Sequence, residues 1–89
     1  MITNLLDALT LFPNPAHGQV SIQLQLPASF HPTKLLLSIV DSDGRVVRQE
    51  PWLQGDTMVL EVQDLTPGLY TVHVTDGSSW LTGGKLIIE

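Results

Sequence analysis

Val20-Ser21-Ile22-Gln23-Leu24-Gln25-Leu26 alternates without a break, aliphatic at the even positions and polar at the odd ones. Successive side chains of an extended chain point to opposite faces, so this period buries one face and leaves the other to water. The same pattern returns downstream. Thr57 to Val62 sets Met58, Leu60 and Val62 on one face, and Leu69 to Thr75 sets Tyr70, Val72 and Val74 against Thr71, His73 and Thr75. Lys34 to Val40 is more continuously apolar, which suits a central strand covered on both faces or twisted between two packing surfaces. Strong helical periodicity appears nowhere. Short strands about ten residues apart, with turn chemistry between them, predict an all-β fold: an antiparallel immunoglobulin-like β-sandwich of roughly six to eight strands.

The punctuation supports that reading. Leu11-Phe12-Pro13-Asn14-Pro15-Ala16 reads as a short strand ending in a rigid turn, because each proline fixes φ and removes a ladder donor. Each proline also drives the residue before it toward extended backbone. Pro27 ends the alternating strand, Ala28 to Thr33 form a loop, and Pro51 stops the strand that begins at Arg45. Asp41-Ser42-Asp43-Gly44-Arg45 is a hairpin signal with two possible registers. The preferred one pairs Asp41 with Arg45 around a left-handed Gly44 and sets Ile39 opposite Val47. A tighter Asp43-Gly44 turn sets Val40 opposite Val47 instead. In Asp64-Leu65-Thr66-Pro67-Gly68, Pro67 and Gly68 occupy the second and third positions of a type II turn. Trp80 to Glu89 is the last strand, interrupted at Gly83-Gly84.

Composition narrows the function. The chain has 89 residues and no cysteine, so a single core must stabilise it without disulfides or thiolate metal sites. The net charge is −5, and Lys34, Arg45, Arg48 and Lys85 are the basic residues. That argues against nucleic acid, which needs a clustered basic surface, and against anionic membrane surfaces. No apolar run approaches the roughly 20 residues of a membrane span. Met1 to Thr10 lacks the charged and apolar regions of a signal peptide. Residues 1–10 read as linker, or as the edge of a piece of a longer protein, with the domain proper at 11–89.

Motifs for catalysis are missing. His17, His31 and His73 are far apart in sequence with no local carboxylate or cysteine at ligand spacing, and read as solvated side chains. Asp41-Ser42-Asp43-Gly44 resembles the opening of a calcium loop but lacks the third acidic position and the distal glutamate. No nucleophile elbow, phosphate loop or poised carboxylate pair is visible, so neither catalysis nor a cofactor is expected. Trp52 and Trp80 read as core or rim packing, with sugar stacking or interface anchoring as the alternative.

Several elements occur together in one order: Phe12-Pro13-Asn14-Pro15-Ala16 leading to Gly18-Gln19-Val20; Ile39 to Val47; Leu65-Thr66-Pro67-Gly68-Leu69-Tyr70-Thr71-Val72; and Gly84-Lys85-Leu86-Ile87-Ile88. From about Leu11 onward this resembles the type A C-terminal sorting domain of the type IX (Por) secretion system. The chain departs from relatives that carry a basic pair near the terminus, having Lys85 alone, and it ends in Glu89. The motif residues also have structural readings. Asn14 bonds back to turn amides, Gly44 and Gly68 supply positive φ, and the Tyr70 hydroxyl satisfies a buried loop group. Leu65 and Leu69 pack on either side of their turn, while Pro13, Pro15, Asp41 and Arg45 shape the turns in which they stand.

The resemblance implies a non-enzymatic address label. A covalently joined N-terminal cargo domain is exported to the periplasm of a Gram-negative bacterium. An outer-membrane translocon recognises the label, and a sortase-like cysteine protease removes it within or ahead of residues 1–10. The cargo is then attached to the cell surface or released. The export signal peptide would lie at the far end of the precursor. Gly83, Gly84, Lys85, Leu86, Ile87 and Ile88 are the candidate recognition residues: a short apolar strand after a flexible diglycine, offering unpaired backbone to a receptor strand if it lies at a sheet edge. Alternatively, this strand merely completes the sandwich. Two other classes of function compete. One is an immunoglobulin- or fibronectin-like accessory module binding carbohydrate or protein through Trp52, Trp80 and Phe30. The other is a spacer that stabilises a neighbouring catalytic domain.

Overall fold

A computed structural model describes residues 8–25, 34–52, 57–76 and 80–89. Leu26, Phe30, His31 and the connections at 53–56 and 77–79 therefore lie outside the described residues. The strands are β1 (Leu9–Phe12), β2 (Gln19–Leu24), β3 (Leu36–Val40), β4 (Val46–Pro51), β5 (Thr57–Glu61), β6 (Gly68–Thr75) and β7 (Trp80–Ile88). They form two antiparallel sheets, ordered β1-β2-β5 and β4-β3-β6-β7. This is an immunoglobulin-like sandwich in which the fourth strand pairs with the third rather than joining the first sheet. β1 takes in Leu9 and Thr10 from the segment read as linker, and Ala8 is buried as well.

The alternation of β2 sends Val20, Ile22 and Leu24 into the core, where they meet Leu60 and Val62 from the same side. Leu37, Ile39, Tyr70, Val72, Val74, Leu86 and Ile88 face them from the second sheet. Full burial of one such aliphatic side chain contributes roughly 1.5–3 kcal/mol, and this shared core is what holds the sheets together. β3 is central in its sheet, as its apolar run predicts, with Ser38 buried on the outer face under a bond from Gln49 Nε2 at 3.1 Å.

Several local expectations need correction. At the hairpin, the Asp41 N–H donates to the Arg45 carbonyl at 2.9 Å and Gly44 adopts φ 86°, which is the loop of the preferred register. Asp41 Oδ1 also accepts from the amides of Asp43 and Arg45, each at 2.9 Å. Yet Ile39 lies opposite Arg48, not Val47, because a bulge between Ile39 and Val40 absorbs one residue and sets Val40 against Val46. The last residue of β4 is Pro51, one position later than expected. It pairs with Leu36, and the Trp52 N–H continues the ladder to Leu35 O at 3.0 Å. β4 is an edge strand, so a missing donor on its outer side costs no ladder bond.

The turn before β6 is formed by the Leu65 N–H bonding to Val62 O at 3.1 Å. Gly68 opens β6 with φ 157°, far from the value near +80° of a type II turn, so the Pro67-Gly68 expectation fails. Leu69 is exposed on the outer face opposite Ile87 instead of packing against the turn. The last strand is continuous through Gly83-Gly84, and its irregularity comes earlier, where Thr75 pairs with Trp80 and Val74 with Thr82.

Candidate functional site

β7 forms one edge of its sheet, hydrogen-bonded along one side to β6. Leu86 and Ile88 point into the core, while Lys85 and Ile87 face outward, with Ile87 opposite Leu69 and Lys85 opposite Thr71. The diglycine is part of this ladder: Gly83 pairs with His73 and Gly84 with Val72. The two glycines differ. A Cβ at Gly83 would lie 2.6 Å from Val72 O and 3.3 Å from Trp80 Cζ2, so this glycine permits both the strand approach and the indole lying against it. A Cβ at Gly84 would meet only Leu11 Cδ1 at 3.6 Å and Leu9 Cδ2 at 3.9 Å, in ordinary contact with the side chains of β1.

The outer edge of β7 is not open at its C-terminal end. The chain leaves β1, passes through Pro13-Asn14-Pro15 with cis bonds at Phe12-Pro13 and Asn14-Pro15, and crosses to the second sheet. There Ala16 bridges Ile88 in parallel, its N–H donating to Ile87 O at 2.8 Å while its carbonyl accepts from the Glu89 N–H at 3.0 Å. Asn14 does not bond back to its own turn. Its Nδ2 donates to Lys85 O at 2.9 Å and its Oδ1 accepts from the Ile87 N–H at 3.0 Å. A side-chain amide carries the same donor and acceptor as a peptide group, and here it stands where a neighbouring strand would.

The remaining motif residues collect at the same end of the sandwich. Asp41, Leu65, Gly68 and Tyr70 line an open cleft between the β3–β4 hairpin and the turn before β6. The buried Tyr70 ring sends its hydroxyl to the Thr66 carbonyl, tying that turn to the body of β6. The exposed Arg45 side chain lies 3.4 Å from Asp43 and 3.9 Å from Asp41. Gly68 and Tyr70 pair with Ile88 and Leu86, joining this cluster to the terminal strand. Motifs spread from Pro13 to Ile88 thus meet at one end, whereas Ala8 sits beside Gln25 at the other.

Two structural residues stand outside the candidate site residues. Gly18, at φ 74°, accepts from the Val62 N–H at 2.8 Å; its place in the first motif element was the available cue. Arg48 spans the edge opposite β7, with Nη1 donating to Glu61 O at 2.8 Å and Nε to Glu50 at 3.0 Å. Its alternation with polar neighbours resembles an ordinary exposed strand, which hides that role.

Trp52 is in the core, whereas Trp80 is 56% exposed. His17 lies 3.8 Å from the Glu89 carboxylate at the surface. Among the described residues, no group of His, Asp or Glu side chains is placed to hold a metal ion. No helix among them is long and apolar enough to cross a membrane.

A sandwich whose last strand is secured by its own first turn, with ordered motifs around that strand's end, defines a small β-module built around its last strand. The family model described as a secretion system C-terminal sorting domain matches residues 10–89, and the chain belongs to that family. It is a C-terminal sorting signal of the type IX secretion system, which is not an enzyme family. Such a signal implies export, a cargo domain joined to it and the type IX machinery as its partner. No curated protein matches the chain.

Proposed function

We propose that residues 11–89 act as the address label of an N-terminally joined cargo and that the outer-membrane translocon reads the terminal strand, Gly83 to Ile88. A sortase-like cysteine protease then cuts ahead of Ala8, where the described fold begins, after passage through the periplasm, and the cargo is attached at the cell surface or released. One observation carries this reading. Strand direction sets Ala8, the cargo side of the fold, and Lys85–Ile88 at opposite ends of the sandwich, so the terminal strand is presented away from the cargo. Lys85 and Ile87 supply exposed side chains there, one cationic and one apolar.

The test is a fusion of the chain to a periplasmic reporter, expressed in type IX-competent cells and in cells lacking the translocon. Competent cells are expected to export the fusion, and both deletion of Lys85–Glu89 and the surface pair Lys85→Glu with Ile87→Glu should retain it in the periplasm. The pair matters because deletion also removes Leu86 and Ile88 from the core. Wild-type export of the deletion and of the pair would sink the assignment. Nothing favours the accessory-module reading: of the two tryptophans it would use, Trp52 is buried and Trp80 is exposed.

A further inference from the structure

In an antiparallel edge strand, alternate residues turn their backbone groups away from the partner strand, and such a row is a template for another chain. On β7 the outward groups from the Lys85 carbonyl onward are Lys85 O, Ile87 N, Ile87 O and Glu89 N. Asn14 occupies the first two through its side chain, and Ala16 the last two through its backbone. A receptor strand arriving at this stretch finds each of these groups engaged. The row is closed by residues more than seventy positions earlier in the chain (|i−j| of 71 and 73 for the two Asn14 bonds).

The two parts of this closure differ in kind. Ala16 is wholly buried and belongs to the core, so its bonds come with the fold. Asn14 is exposed, buries no core surface, and touches β7 through polar atoms. Its contribution is therefore local: it fixes where Lys85 and Ile87 sit without being needed for the two sheets to pack. The edge-pairing mechanism considered from the sequence would require these bonds to break first.

We infer that Asn14 is the positioning residue for the export signal: it closes the outer edge of β7, and the translocon reads Lys85–Ile88 as a folded side-chain face with that edge closed. The inference rests on the terminal strand being the signal. When Asn14 is removed, Lys85 O and Ile87 N turn to water, the strand end opens more often, and the fraction of molecules presenting the closed strand falls.

The experiment compares Asn14→Ala with wild type and with Ile22→Val, a core change in the opposite sheet chosen to give a similar loss of thermal midpoint. In the purified domain, Asn14→Ala should raise hydrogen exchange at the Ile87 amide about tenfold or more, while amides in β2 and β3 stay protected. In the reporter fusion, export by Asn14→Ala should fall clearly below that of Ile22→Val, which exports normally. Export of Asn14→Ala at or above the wild-type level would overturn the inference, since releasing the edge would then be harmless or helpful. A fall no greater than that of Ile22→Val would also overturn it, by reducing Asn14 to a stability residue. Normal export after Lys85–Glu89 deletion would show instead that the terminal strand is not the signal, and the inference would fall with that reading.

Discussion

The Ile87 N–H donates to Asn14 Oδ1 at 3.0 Å, joining the first turn of the fold to its last strand across 73 positions. Through the same amide, Nδ2 reaches Lys85 O. The asparagine between the prolines is therefore a tertiary contact rather than a local turn device. Its opposite number is Arg48, which spans the other edge of the sandwich from β4 to the carbonyl of Glu61 in β5. Edges are where a two-sheet fold is weakest, and on each side this domain sets a polar side chain on backbone groups.

The diglycine should separate into one essential and one replaceable residue. Gly83→Ala forces a Cβ to within 2.6 Å of Val72 O and should cost about 1–3 kcal/mol. Gly84→Ala fills ordinary contact distance beside Leu9 and Leu11 and should change stability by less than about 0.5 kcal/mol or raise it slightly. Urea denaturation of the two variants measures the difference, and equal losses would refute the packing account.

Gly44→Ala should be destabilising even though nothing lies within 4 Å of the added methyl, because the residue sits at φ 86°. The expected loss is about 1–2 kcal/mol, with Gly44→Asn losing less, since asparagine enters the left-handed region more readily. Thermal midpoints of both variants test the order.

Tyr70→Phe removes the hydroxyl that bonds Thr66 O while keeping the ring in the core. A loss of about 1 kcal/mol is expected, or roughly 4–8 °C in midpoint for a domain of this size. An unchanged midpoint would mean that water replaces the bond without cost.

Arg48→Ala should cost about 1–2 kcal/mol, because it strips a charged donor from Glu61 O and leaves Glu50 without its 3.0 Å partner. Arg48→Lys should recover only part, since an ammonium cannot match the guanidinium's fork. Chemical denaturation at low and high salt checks both, with the wild-type advantage shrinking as salt rises.

The strands were legible because period-two alternation is a local signal: Val20, Ile22, Leu24, Leu60, Val62, Val72 and Val74 are all buried as their spacing requires. The Asp41–Arg45 loop was legible too, since its carboxylate and Gly44 act within a few residues. The register beyond it was not. The bulge at Ile39/Val40 puts Arg48 on the inner face, and what Arg48 meets there lies on another strand. Gly68 misled because Pro-Gly suits a type II turn in isolation, whereas here Gly68 is already paired with Ile88.

By itself, the sequence determined an all-β sandwich, the buried faces of its strands, the Asp41–Arg45 loop, and a motif order that marks it as a sorting domain. Those depend on backbone preferences and on apolar spacing within one strand. Tertiary structure alone decided that Asn14 closes β7, that Gly83 rather than Gly84 is sterically required, and that the motifs meet at the end away from Ala8. Each of these depends on which strands become neighbours. That follows from burying two apolar faces against each other, a constraint on the whole chain that no short stretch of residues contains.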